Sequence, residues 1–353
     1  MFDFEFENLK QRNEYVKSIE NLLENLKFGS KNNRLIKKNA DRETLRKKYT
    51  DMLGYPLTCR KCGNNPVCYP KTEIAVKTEY LGEDENMIMT RCQLEIMPDF
   101  WFYGILYEPK DNSDNSDNIN KDSKEKNALV IAQHGGGGSP EIVGSLVLDS
   151  ANYNHMVKRI IRKGIKIFAP QLLLWDQEFY KGEKYDRLET DKKLKQYGGS
   201  ITALEVYCIM RSIDYFAGLE DIDEKRIGMV GLSYGGMYAL YAAAADTRIK
   251  VALSSCWYSD RLKYNRDDWI YFNQANSFFD AEVGYLVLPR KLYVEIGTKD
   301  ELFNPDDAKE DIKRLEKYAE DENCTDSLKI KIFDGLHELD KSDDGINFLL
   351  DNL

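Results

Sequence analysis

Histidine is scarce in this chain. Its 353 residues include three, His134, His155 and His337, so a reaction that needs an imidazole base has a short field of candidates. Basic excess is also missing: 50 Lys and Arg face 60 Asp and Glu, a net charge of -10, which argues against a nucleic-acid backbone as partner. No apolar run approaches the roughly 18 residues that span a bilayer; the longest, Met237 to Ala245, is far too short. The start, Phe2-Asp3-Phe4-Glu5, lacks the basic and apolar segments of a secretory signal, so a cytoplasmic setting is expected. Seven cysteines are an odd number in a chain large enough to need no staples, and free thiols follow. Asn323-Cys324-Thr325 fits a glycosylation acceptor, which would be inert in that setting. What is present suits a folded globule: 42% hydrophobic and 31% charged residues.

Residues 8 to 51 are polar except for Leu9, Val16, Ile19, Leu22, Leu23 and Leu26 at helical spacing, so residues 1–57 read as a helical arm before the main domain, 58–353. Glu73 to Tyr80, Met87 to Ile96 and Phe100 to Tyr107 alternate apolar with polar residues and predict an antiparallel meander. Residues 111–127, Asp, Asn and Ser in repetition, predict a mobile loop joining two strands of one sheet. Strand and helix then alternate. Apolar runs at Ala128 to Gln133, Ile165 to Pro170, Arg226 to Leu232, Lys250 to Ser255, Lys291 to Gly297 and Leu328 to Phe333 predict strands. Periodic segments at Ala151 to Lys163, Thr202 to Phe216, Gly235 to Ala245, Pro305 to Glu320 and Asp343 to Leu350 predict helices. The class is α/β, a mostly parallel central sheet with helices on both faces and an N-terminal helical arm. Two aromatic-rich stretches, 171 to 199 and 257 to 285, interrupt the alternation after strands, where such sheets build binding sites.

Gly231-Leu232-Ser233-Tyr234-Gly235 is a G-x-S-x-G sequence between an expected strand and an expected helix. Such a turn must be sharp to lift the serine hydroxyl off the sheet, and the two glycines leave room for it. A serine needs a base. His337, in Asp334-Gly335-Leu336-His337-Glu338, follows the last strand at the same sheet end, whereas His155 reads as a surface residue within a helix. Asp300, in Gly297-Thr298-Lys299-Asp300-Glu301, is placed to orient the base, with Glu301 as competitor. The order Ser233, Asp300, His337 is that of α/β-hydrolase triads. His134-Gly135-Gly136-Gly137-Gly138 follows another strand, and backbone N–H groups of Tyr234, Gly136 and Gly137 are candidates for an oxyanion hole, with His134 holding the loop.

These segments, with Arg211 to Tyr215 (RSIDY), Asp223 to Gly236 (DEKRIGMVGLSYGG) and Asp246 to Lys250 (DTRIK), resemble the α/β-hydrolase superfamily. The closer resemblance is to dienelactone hydrolase and acetyl xylan esterase-like proteins, and it covers most of residues 40 to 353. In dienelactone hydrolases the nucleophile is cysteine; Ser233 in its place shifts the implied activity toward serine-dependent hydrolysis of carboxylic esters. The resemblance implies a short acyl group such as acetyl and an acylated sugar as one candidate substrate. Rival readings are a serine peptidase of the same fold and a non-catalytic binding protein. No cofactor, metal, membrane or nucleic-acid partner is expected, and a homo-oligomer is left open. Cys59-x-x-Cys62, with Cys68 and Cys92, lacks a second ligand pair and reads as packing rather than a zinc site.

Overall fold

The computed structural model describes residues 4–58, 60–62, 65–67, 73–110 and 126–353. Cys59, Cys68 and the expected loop, apart from its last two residues, lie outside the described residues. In chain order, the elements begin with α1 (Phe4–Asn33), α2 (Arg42–Leu53), a small hairpin of β1 (Arg60–Cys62) and β2 (Asn65–Val67), and the meander β3 (Val76–Glu83), β4 (Met87–Met97) and β5 (Phe100–Pro109). Then follow β6 (Asn127–Gln133), α3 (Pro140–Val143), α4 (Met156–Ile161), β7 (Lys166–Pro170), α5 (Arg187–Gln196), α6 (Ile201–Phe216), β8 (Ile222–Leu232) and α7 (Tyr234–Ala245). The last are β9 (Ile249–Ser255), α8 (Asp280–Val287), β10 (Lys291–Gly297), α9 (Lys309–Asp321), β11 (Leu328–Phe333) and α10 (Asp344–Asp351).

Nine strands form one sheet in the order β11-β10-β9-β8-β6-β7-β5-β4-β3. Pairing is parallel from β11 through β7 and antiparallel from β7 through β3. The near-continuous apolar runs of the inner parallel strands β6 to β10 are needed because both faces are covered, whereas the edge strand β11 is only partly buried. In β6, Leu129 and Ile131 join the core under α6 and α7, while Val130 and Ala132 join the opposite core under α4 and α10. Burial of Leu129, Val130 and Ile131 contributes about 1.5–3 kcal/mol each.

The two arm helices differ. Asp41 caps α2 by accepting from the N–H groups of Glu43 and Thr44, and Tyr49 and Leu53 are fully buried. Tyr49 meets Tyr241 and Phe278 edge to face, at 5.9 and 5.6 Å. Ser200 ties the end of α2 to the body, donating to Leu53 O at 2.7 Å while capping α6 through Ala203 N–H. By contrast, every described side chain of α1 from Asn8 to Phe28 is exposed.

The expected helix over Ala151 to Lys163 is much shorter. Residues 148–153 form an irregular 3₁₀ stretch, Asn154 and His155 take left-handed conformations, and α4 starts only at Met156. Tertiary bonds override the helical pattern: Asn154 Nδ2 donates to Glu338 and to Leu339 O, and Ser150 Oγ accepts from His155 N–H. His155 therefore precedes the helix; it is exposed and bonds Ser145.

Candidate active site

Ser233 sits on the turn between β8 and α7 with φ 61° and ψ -122°, a strained conformation for a residue with a Cβ. Its N–H donates to Ser255 O at 2.9 Å, which fixes the turn to β9. The flanking glycines are required by packing. A Cβ on Gly231 would collide with the Gly235 backbone, and one on Gly235 with the carbonyl of Gln133. Glycine at both flanking positions thus lets the strand end and the start of the helix pass close together on either side of Ser233.

Asp300 and His337 come from the loops after β10 and β11, and the loops are clipped together. Thr298 N–H donates to Phe333 O and Lys299 N–H to Gly335 O, both at 2.9 Å. A side chain on Gly297 would strike the carbonyl of Leu336, so the close approach depends on glycine there. His337 Nδ1 is 2.8 Å from Asp300 Oδ2 and donates to it. The other oxygen of Asp300 accepts from Leu302 and Phe303 N–H, both at 2.9 Å. Burial pushes the Asp300 carboxyl up, but the bond from His337 and those backbone donors outweigh it and hold the group below the usual range. Glu301 serves the same loop differently: it accepts from the backbone N–H of His337 at 3.2 Å and does not bond the ring. His337 Nε2 is buried and has no hydrogen-bond partner among the described residues.

His337 and Ser233 border one cavity of about 410 Å³. Tyr264, Trp269 and Phe303 supply its aromatic wall, and Arg266, Asn152 and Tyr153 its polar edge. Asn152 Nδ2 donates to His337 O at 2.9 Å, and Tyr153 Oη accepts from Gly135 N–H at 2.8 Å. Larger clefts of about 570 and 760 Å³ lie against the arm and contain neither Ser233 nor a histidine.

The glycine loop divides its amides. Gly136 lies against the Tyr234 ring and its N–H enters no backbone hydrogen bond among the described residues. Tyr234 is the first residue of α7, so its N–H has no acceptor one turn back. Gly137 must be removed from the oxyanion candidates: its φ of +70° turns its N–H onto Leu174 O at 2.7 Å. His134 is fully buried, its Nε2 accepting from Leu172 N–H at 2.9 Å and its Nδ1 bonding Gly135 O. Burial pushes its pKa down to about 4, so the ring is neutral and holds the loop.

Beneath Tyr234 lies a charge network that no local sequence pattern announces. Tyr234 Oη donates to Asp268 at 2.8 Å, and Asp268 is paired with Arg187 at 2.7 Å and with Arg266 at 3.2 Å. Arg187 also pairs with Glu205 at 3.0 Å, and Glu205 accepts from Leu173 N–H and from Tyr238. Burial works against the charge of Arg187, but Glu205, Tyr238 and Asp268 hold it protonated well above its usual range. Both long interruptions of the strand–helix alternation are thereby locked to α6 and α7 around the turn that carries Ser233.

Few of the aromatics in those interruptions reach the cavity. Trp269 borders it, while Trp175 and Tyr185 border a neighbouring cleft that shares Gly136, Tyr234 and Arg266. Tyr258, Tyr271, Phe278 and Phe279 pack into the interior, and Phe272 is 95% exposed. Tyr264 and Arg266 were not singled out by pattern, because neither lies in a motif. Cys256 offers its Sγ within 4.8 Å of donor atoms of Asp300 and His337. Burial pushes that thiol up to about 12, and Asp300 and His337 are bonded to each other. Among the described residues no helix is long and apolar enough to cross a membrane.

Comparison with known proteins agrees with this architecture. YtaP of Bacillus subtilis (strain 168), named as a hydrolase, is 28% identical over 131 residues, 34% of this chain and 44% of that protein. The chain thus matches less than half the length of this curated relative. A Bacteroides fragilis NCTC 9343 structure named for acetyl xylan esterase superposes with a TM-score of 0.62 at 15% identity, covering 88% of this chain and 81% of that one. A glucuronoyl esterase from Solibacter usitatus gives 0.60 at 14%, covering 88% and 91%. At these identities the two structures establish the α/β-hydrolase fold. Residues 120–337, more than half of the chain, match the model of the dienelactone hydrolase family, and the chain belongs to that family.

Proposed function

We propose that the chain hydrolyses carboxylic esters through an acyl-enzyme on Ser233. The observation that carries this reading is the Asp300–His337 bond on the border of the cavity that also holds the strained Ser233 turn. Ser233 Oγ attacks the ester carbonyl while His337 Nε2 takes its proton, and Asp300 fixes the tautomer and stabilises the imidazolium. The tetrahedral oxyanion is met by the N–H groups of Tyr234 and Gly136. His337 returns the proton to the leaving alcohol, and water then repeats the steps in reverse to release the acid. Protein groups and water account for every proton and electron pair in this sequence.

The substrate is an ester with a short acyl group such as acetyl, and an acylated sugar, whose alcohol half is a sugar hydroxyl, is a fitting one. A cavity of about 410 Å³ with three aromatic walls supports this reading. A cytoplasmic setting belongs to the same proposal and is supported by the free thiols Cys92, Cys208, Cys256 and Cys324. Labelling with a fluorophosphonate tests the nucleophile. The wild type is expected to react, whereas Ser233→Ala neither reacts nor cleaves p-nitrophenyl acetate beyond the roughly 10³–10⁴-fold over water that an oxyanion hole can leave. Labelling that persists in Ser233→Ala refutes the assignment.

A further inference from the structure

Glu295 lies two residues before the end of β10 and is 1% exposed. The same face of the sheet carries Tyr293 and Leu253 of the apolar core, so packing alone favours an apolar side chain there. Burial pushes its carboxyl up to about 7, against the Asp340 N–H and the Ser255 hydroxyl, which favour the charged form. A carboxyl so placed costs stability unless its partners offset the burial.

Those partners converge on the three segments that carry Ser233, Asp300 and His337. Glu295 Oε1 accepts from Asp340 N–H at 2.9 Å, and Asp340 follows His337 on the loop after β11. In register with Glu295 on β9 is Ser255, whose carbonyl holds the Ser233 N–H. Strand β10 itself leads into the loop of Asp300. Glu295 Oε2 faces the start of α10, where a Cβ on Gly345 would come within 3.1 Å of it. The backbone from His337 to Asp340 is gripped at Glu301 and Asn152 outside the sheet, and the Asp340 bond fastens it to β10.

We propose, on the reading of Ser233, Asp300 and His337 as a triad, that Glu295 is a positioning residue of the hydrolysis. Its oxygen is an acceptor of fixed reach that sets the His337 loop over β10, and so aligns the imidazole between Asp300 and Ser233. The strand that presents Asp300 thereby also holds, through one side chain, the loop whose histidine Asp300 must bond. A misplacement of about 1 Å at a reacting group can cost about a hundredfold in rate.

Hydrolysis of p-nitrophenyl acetate by variants of the full chain tests this. Glu295→Leu fills the same space without an acceptor. Glu295→Asp keeps the carboxylate but draws it back by one methylene, and it serves if the leucine variant does not fold. Either is expected to lower kcat about ten- to a hundredfold with KM within about twofold, because Glu295 does not border the cavity. Each should also shift or broaden the downfield proton resonance of His337 Nδ1–H. Glu295→Gln keeps the reach and the acceptor, and should hold kcat within about threefold of wild type with the resonance in place. Folded leucine or aspartate variants that keep wild-type kcat, or that change KM instead, overturn the proposal. So does a glutamine variant as impaired as the leucine one, which would make charge and not reach the requirement. Ser233→Ala separates the two readings. Full hydrolysis by that variant overturns the triad and this proposal with it, whereas an inactive Ser233→Ala beside an unimpaired Glu295→Leu overturns this proposal alone.

Discussion

Ser233, His134 and Asp300 show how much of the site rests on single residues held in unusual states. His134 is the plainest case for measurement. In the unfolded chain its imidazole protonates near 6.5, whereas burial keeps the folded ring neutral until about 4. The unfolded state therefore binds the extra proton between these values, and stability is full above pH 6.5 and falls as pH drops toward 4. At about 1.36 kcal/mol per pH unit the loss is roughly 3 kcal/mol over that interval. Urea denaturation of wild type and His134→Gln across this range is expected to show a shallower pH slope in the variant, whose amide can still accept from Leu172 N–H. Equal slopes would mean that His134 is not the titrating group. Asp300 has the opposite chemistry but a related sign: its carboxyl is held below 3.8, so its contribution is present above that value and is lost only in stronger acid.

At the scale of elements, the parts legible in the sequence are those written in adjacent residues. The Gly231 to Gly235 turn, the apolar runs of the parallel strands and the loops after β10 and β11 each carry their own local signal. The Arg187, Glu205 and Asp268 network has none, because its members come from α5, α6 and an irregular stretch and meet only after folding. The same holds for Asn152, Tyr153, Tyr264 and Arg266. Gly137 shows the limit from the other side: four consecutive glycines do not say which N–H the neighbouring Leu174 carbonyl will take. The helix expected over Ala151 to Lys163 starts only at Met156 because Asn154 and Ser150 bond the chain elsewhere. Removing one partner of a buried charge network typically costs 3–5 kcal/mol, since the remaining charges lose their compensation. Asp268→Ala is accordingly expected to lower the free energy of unfolding by that amount. It should also reduce kcat more than it raises KM, because Tyr234, whose N–H is proposed to meet the oxyanion, loses its anchor. Stability loss with unchanged kcat would make the network purely structural.

For the molecule as a whole, sheet, helices and loops converge on a compact aromatic-walled cavity beside Ser233, and the proposed substrate follows from its size. A methylene in an apolar pocket is worth only about 1–3 kcal/mol of discrimination, so several are needed for a clear cutoff. Acetyl and propionyl p-nitrophenyl esters are expected to give higher kcat/KM than octanoyl or longer ones. Decanoyl esters as the best substrates would mean an open groove in place of the cavity. The most direct test of the chemistry itself is intact-mass spectrometry of the wild type, acid-quenched within the first turnovers on p-nitrophenyl acetate, followed by peptide mapping. The expected result is a population heavier by one acetyl group, carried on Ser233. Acetyl on another residue, or turnover with no acylated species even when Asp300→Asn slows deacylation, would contradict an acyl-enzyme formed at Ser233.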